Sequence, residues 1–127
     1  MSKPVSLAGL RLFLVEDEAM VAMMLEDMLA DLGCIVVDVA GSLTDGLVMV
    51  DKASFAVDVA VLDVNLGGEK VYPVAEKLAA KSVPFMFSTG YGLAGIAPDF
   101  KQVPVLAKPF GPRALEDMLI SVLTTTT

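Results

Sequence analysis

The residues able to do chemistry stand at the ends of short apolar runs. Glu16 and Asp17 follow Leu12–Val15, Asp63 and Asn65 close Ala56–Val64, Ser88 and Thr89 follow Val83–Phe87, and Lys108 follows Val103–Ala107. If these runs are parallel strands, their carboxyl ends share one crevice, the place where open α/β sheets bind ligands. Three carboxylates gathered there repel one another and raise each other's pKa unless a cation compensates. An oxygen-only donor set, in a chain with no histidine, favours Mg²⁺, which is commonly held by one or two carboxylates plus a phosphate oxygen. Asp63 is then left as a nucleophile that can attack phosphorus and form an acyl phosphate. Lys108 and the Thr89 hydroxyl are placed to share the charge of an in-line phosphoryl transfer.

The elements that must position these groups can be read from periodicity. Leu12–Val15 is continuously apolar, as a strand buried on both faces should be. Glu18–Leu32 repeats apolar residues at Val21, Leu25, Met28 and Leu32 and stops at Gly33, which predicts a helix with a glycine end. Ile35–Val39 reads as a strand, and Ser42 as the cap of the helix after it. Ala56–Val64, Val83–Phe87 and Val103–Ala107 supply three more strands, while Pro73 and Pro112 open helices. Strand and helix thus alternate five times, the pattern of an open parallel sheet covered on both faces. Gly92, Gly95 and Pro98 interrupt the fourth helical interval, which is expected to be short, irregular or mobile.

Composition narrows the function classes. The 127 residues fit one domain, 1–127, with flexible ends at 1–9 and 124–127. Although 55% of the chain is apolar, its longest unbroken apolar stretch, Ala19–Leu25, is far too short to span a bilayer. The first residues do not read as a secretory signal, so a cytoplasmic location is expected. A net charge of −7 argues against direct nucleic-acid binding. One cysteine, Cys34, excludes an internal disulfide framework and reads as a small buried hydrophobe.

Val-Glu-Asp at 15–17, Leu-Asp-Val-Asn at 62–65, Ser-Thr-Gly-Tyr at 88–91 and Lys-Pro-Phe at 108–110 together resemble the receiver domains of bacterial two-component response regulators, in the family's order and spacing. The resemblance implies a flavodoxin-like (βα)5 sheet of order 2-1-3-4-5. It implies phosphorylation of Asp63 by a histidine kinase or phosphotransfer protein. Asp17 would ligate Mg²⁺ directly, Glu16 would act mainly through a metal-bound water, and the Asn65 carbonyl would complete the set. Lys108 would pair with Asp63, Gly90, Tyr91 and Pro109 would lie at the phosphoryl contact and switch, and the Lys108–Pro109 bond would be cis. Such a chain is a phosphoacceptor that catalyses its own phosphorylation and dephosphorylation, favoured as a monomer, rather than an enzyme with a separate substrate.

The chain departs from the family pattern at two places. Val105 occupies the position of the usual aromatic switch residue, and Gly67-Gly68 is expected to loosen the loop after Asp63 where many receivers have proline. The run from Phe87 to Tyr91 is similar to the Phe-Ala-Thr-Gly-Tyr subgroup, often stand-alone proteins paired with histidine kinases of the HWE or related type. A phosphate-sink role is then as open as a relay.

Each residue also has an ordinary structural reading. Asp63 could cap the next segment, Thr89 could bond a turn, Glu16 and Asp17 could serve only the field of the following helix, and Gly90 and Gly92 could merely permit turns. Two competing functions follow. A Mg²⁺-dependent aspartyl-phosphate phosphatase would want a second acid where Asn65 stands, and a degenerate receiver acting as a binding module would not need Asp63, Thr89 and Lys108 together. In the first helix, Met20 and Met23 fall to one flank of the apolar stripe, where soft side chains could meet a kinase helix.

Overall fold

The computed structural model describes residues 6–90 and 95–125. Its elements are β1 (Arg11–Val15), α1 (Ala19–Asp31), β2 (Ile35–Ala40), α2 (Leu43–Val50), β3 (Val59–Asp63), the short strands β4 (Asn65–Leu66) and β5 (Glu69–Lys70), α3 (Tyr72–Ala80), β6 (Phe85–Thr89), β7 (Val105–Ala107) and α4 (Pro112–Thr125). Five of these strands form one sheet in the order β2-β1-β3-β6-β7, every pair parallel. Counting only sheet strands, this is the 2-1-3-4-5 order of a flavodoxin-like fold.

Alternation along the strands divides the core in two. Phe13, Val15, Leu62 and Phe87 point to the side covered by α2 and α3, with Val74 and Leu78. Leu12, Leu14, Val61 and Met86 point to the side of α1 and α4, with Leu25, Leu29, Leu115 and Leu119. Because both faces are covered, the central runs Leu12–Val15, Val59–Leu62 and Phe85–Phe87 are apolar without interruption, whereas the edge strand β2 carries Asp38.

Local signals act where expected. Ser42 Oγ accepts the Asp45 backbone N–H at 3.1 Å, and Gly33 ends α1 at φ +91, where a Cβ would lie 3.1 Å from the Ala8 backbone. The strands β6 and β7 begin two residues later than periodicity suggested, after Pro84 and Pro104. Each proline lacks a ladder donor but offers its carbonyl, Pro84 to Ala60 N–H and Pro104 to Phe87 N–H.

Three expectations are refined. The deepest face of α1 is Ala22, Leu25 and Leu29, rotated from the stripe at 21, 25, 28 and 32, because small Ala22 lets the helix approach the sheet. The end at residues 1–9 is anchored in part: Leu7 is buried, and Gly9 N–H bonds the Gly33 carbonyl at 2.8 Å, while residues 1–5, 126 and 127 lie outside the described residues. In the fourth helical interval, the described residues from Gly95 onward include the 3-10 turn Pro98–Phe100, and Gly92 is outside them.

Candidate phosphoryl-transfer site

Asp17, Asp63, Asn65, Gly90 and Lys108 meet at one crevice at the carboxyl end of the sheet, while Glu16, Ser88 and Thr89 are buried and do not line it. Its cavity of ≈ 640 Å³ is lined by Asp17, Glu18, Asp63, Asn65, Gly67, Gly68, Gly90 and Lys108. Register explains much of the arrangement. Asp63 pairs with Ser88, one step beyond the Leu62–Phe87 pair, so both project toward the α1/α4 side, as do Glu16 and Lys108 two residues beyond Leu14 and Leu106.

On that side a buried ion cluster forms. Lys108 Nζ donates to Glu16 Oε1 at 2.7 Å and to Asp63 Oδ2 at 3.1 Å. Glu16 is 2% exposed and Asp63 5%. The second oxygens are held by backbone: Glu18 N–H donates to Glu16 Oε2 at 3.2 Å, and Asn65 N–H to Asp63 Oδ1 at 3.3 Å. Burial raises the Glu16 carboxyl from 4.5 to about 7, with Lys108 and the Glu18 amide opposing the rise. Burial alone would lower the Lys108 pKa, but its bonds to Glu16 and Asp63 outweigh that and raise it.

Asp17 faces the crevice from β1, and its Oδ2 accepts Gly67 N–H at 2.9 Å. That contact corrects the expectation of a loosened loop. Gly67 and Gly68 take φ +60 and +95 as the two-residue turn of the β4–β5 hairpin, a conformation glycine adopts without strain. The hairpin therefore helps to orient an acid. Asn65, also on it, has its side-chain oxygen bound by Lys70 Nζ at 2.7 Å.

Glu18, which the sequence placed only at a helix start, is a third acid of the cluster. Carboxylate oxygens of Glu16, Asp17 and Glu18 lie within 4.8 Å of one another. With Asp63 across the same crevice, and Lys108 the only cation lining it among the described residues, this hard-oxygen set fits a divalent cation such as Mg²⁺. Lys70 was invisible because the hairpin that carries it was not read from the sequence.

Thr89 is buried at the tip of β6, and its carbonyl accepts Lys108 N–H at 2.9 Å. Gly90 opens on the crevice, with no atom within 4 Å of where a Cβ would stand. The Lys108–Pro109 bond is cis, and Tyr91 lies outside the described residues.

Comparison with known proteins agrees with this geometry. Residues 12–120 match the family model described as the response regulator receiver domain. SdrG from Sphingomonas melonis Fr1, a solution structure, is 40% identical with a TM-score of 0.80, covering 94% of this chain and 99% of that one. The BeF3-activated conformation of SdrG, assigned to Pseudomonas melonis Fr1, is 41% identical with a TM-score of 0.76, covering 91% and 98%. The receiver domain of PhyR from Erythrobacter litoralis has a TM-score of 0.81 and covers 94% of each chain, but at 22% identity it supports the fold alone. No curated protein matches. By its matched span and by these relatives, the chain belongs to the response regulator receiver domain family.

Proposed function

We propose that this receiver domain is a phosphoacceptor in which Asp63 takes a phosphoryl group from a histidine kinase phosphohistidine. The observation that carries the reading is the nearly buried Asp63 carboxylate, 3.1 Å from Lys108 Nζ and facing the acidic cluster. One Asp63 oxygen forms the new O–P bond as the donor N–P bond breaks and the released imidazole takes up a proton. Lys108 stabilises the charge on the transferred group and Thr89 contacts it from the β6 tip, while the open space at Gly90 admits it. Asp17, Asp63 and Asn65 would hold Mg²⁺, with Glu16 acting through a metal-bound water, and the ion would supply positive charge against the phosphoryl oxygens. Hydrolysis at the same site returns the free carboxylate, so the domain catalyses its own phosphorylation and dephosphorylation without a separate substrate.

Partner binding is supported by the surface beside Lys108. Val21, Met24, Leu25 and Met28 of α1 form a ≈ 130 Å³ apolar groove with Pro109 and Phe110, and Met20, Met23 and Met24 are 78%, 64% and 58% exposed. Soft, adaptable side chains suit a kinase helix, and the Phe87–Tyr91 motif points to a kinase of the HWE or related type. Such an exchange takes place in the cytoplasm; among the described residues no helix is long and apolar enough to cross a membrane.

The test is intact-mass analysis after incubation with a small phosphodonor and Mg²⁺. Wild type should gain one phosphoryl group and Asp63→Asn none. Equal labelling of both, or no labelling of wild type, would overturn the reading.

A further inference from the structure

Lys108 leaves the tip of β7, yet its ammonium bonds acids on β1 and β3. In a sheet ordered β2-β1-β3-β6-β7 it must cross β6 to do so. The β6 residue on that face is Ser88, paired in register with Asp63 on one side and Leu106 on the other. Ser88 therefore lies beneath the path of the lysine side chain. It is 1% exposed, and its hydroxyl is a buried side-chain polar atom without a hydrogen-bond partner.

The need for clearance under Lys108 accounts for a small residue here but not for an oxygen. Alanine would clear the lysine equally well, whereas an unpartnered buried hydroxyl costs roughly 1–3 kcal/mol. The cost is offset only in a state where the hydroxyl is bonded. An ammonium has three N–H donors, and Glu16 and Asp63 occupy two of those of Lys108.

Resting on the phosphoacceptor reading, we propose that Ser88 is a positioning residue for Lys108, its Oγ accepting the third ammonium hydrogen once a phosphoryl group on Asp63 shifts the lysine from its resting place. Ser88 does not touch the transferred group. It fixes the cation that does, so the hydroxyl matters to the loaded site and not to the free protein or to metal binding.

The experiment compares the full chain with Ser88→Ala by calorimetric titration, first with Mg²⁺ alone and then with beryllofluoride in excess Mg²⁺, and by thermal unfolding without metal. Losing one net hydrogen bond should weaken beryllofluoride binding about 3–10-fold. Mg²⁺ affinity should not change, and the metal-free variant should melt no lower than wild type. Equal beryllofluoride affinity would overturn the proposal, as would a lower melting temperature in the free variant, which would mean that the hydroxyl is already bonded there. If wild type itself fails to bind beryllofluoride, the phosphoacceptor reading falls and this one with it. If wild type binds and Ser88→Ala binds as well, only the role of Ser88 is lost.

Discussion

On the α1/α4 side of the sheet the core is aliphatic, with Leu12, Leu14, Val61 and Met86 against Leu25, Leu29, Leu115 and Leu119. On the α2/α3 side aromatic rings join the aliphatic side chains. Tyr72 stacks on Phe100 at 5.1 Å and meets Phe87 edge-on at 5.8 Å, while Phe13 meets Phe55 edge-on at 5.3 Å. The aliphatic side ends in the Glu16–Lys108–Asp63 cluster and carries the exposed methionines. The aromatic side ends in a clasp, where Tyr72 Oη donates to the Gly95 carbonyl at 3.2 Å and accepts Ala97 N–H at 2.9 Å. One face thus holds charge and exposed methionines, and the other holds down the connection between β6 and β7. Val105, which stands where an aromatic is usual, pairs in register with Phe87 and packs against the same cluster as Tyr72 and Phe100.

Substitutions that act on one face only can break this division. Lys108→Ala should have the largest effect, lowering phosphodonor labelling by about 100-fold or more as the charge opposite the phosphoryl group disappears. Stability in urea should fall by roughly 1–3 kcal/mol, less than for a fully buried pair because Lys108 keeps some solvent contact. Loss of labelling without loss of stability would mean that the cluster does not support the fold.

Next in size is the clasp. Tyr72→Ala should cost roughly 2–3 kcal/mol through lost ring packing, and Tyr72→Phe about 1 kcal/mol through its two hydrogen bonds. In both variants the amides of 96–103 should exchange hydrogen faster, while those of α1 and α4 stay as protected as in wild type. Faster exchange in α1 would show that the two faces are coupled more tightly than their packing indicates.

A smaller effect comes from Glu16. Burial lifts its carboxyl from 4.5 to about 7, so the folded state binds this proton at higher pH than the unfolded chain does. The resulting stabilisation is fully present below pH 4.5 and is lost as pH rises through about 7. In metal-free buffer, the melting temperature of wild type relative to Glu16→Gln should therefore rise as pH falls from about 7. A constant difference between the two proteins would contradict the burial argument.

The smallest change in stability, within about 0.5 kcal/mol, is expected for Met20→Glu with Met23→Glu, since both side chains are exposed. Phosphotransfer from the cognate kinase should slow several-fold while labelling by small phosphodonors stays at the wild-type rate. Equal slowing of both reactions would remove the methionines from the partner surface.

Much of this was legible in the sequence because it is written locally. Strand runs such as Leu12–Val15, the Gly33 stop, the Ser42 cap and the acids and lysine at strand ends are decided by neighbours in the chain, through the two periodicities and a few turn preferences. The β4–β5 hairpin escaped because its strands are two residues each, too short to show a period. Its Gly67-Gly68 turn could have been the signal.

What the tertiary structure alone decided is which groups meet. Glu16 and Lys108 lie 92 positions apart, and nothing near either residue encodes that the lysine crosses β6 to reach the acid. Sheet order and register placed Ser88 under that crossing, and the packing of α3 on the sheet placed Tyr72 over Gly95 and Ala97. Periodicity specifies the direction of a side chain within its own element, whereas the partner it meets depends on how separate elements pack.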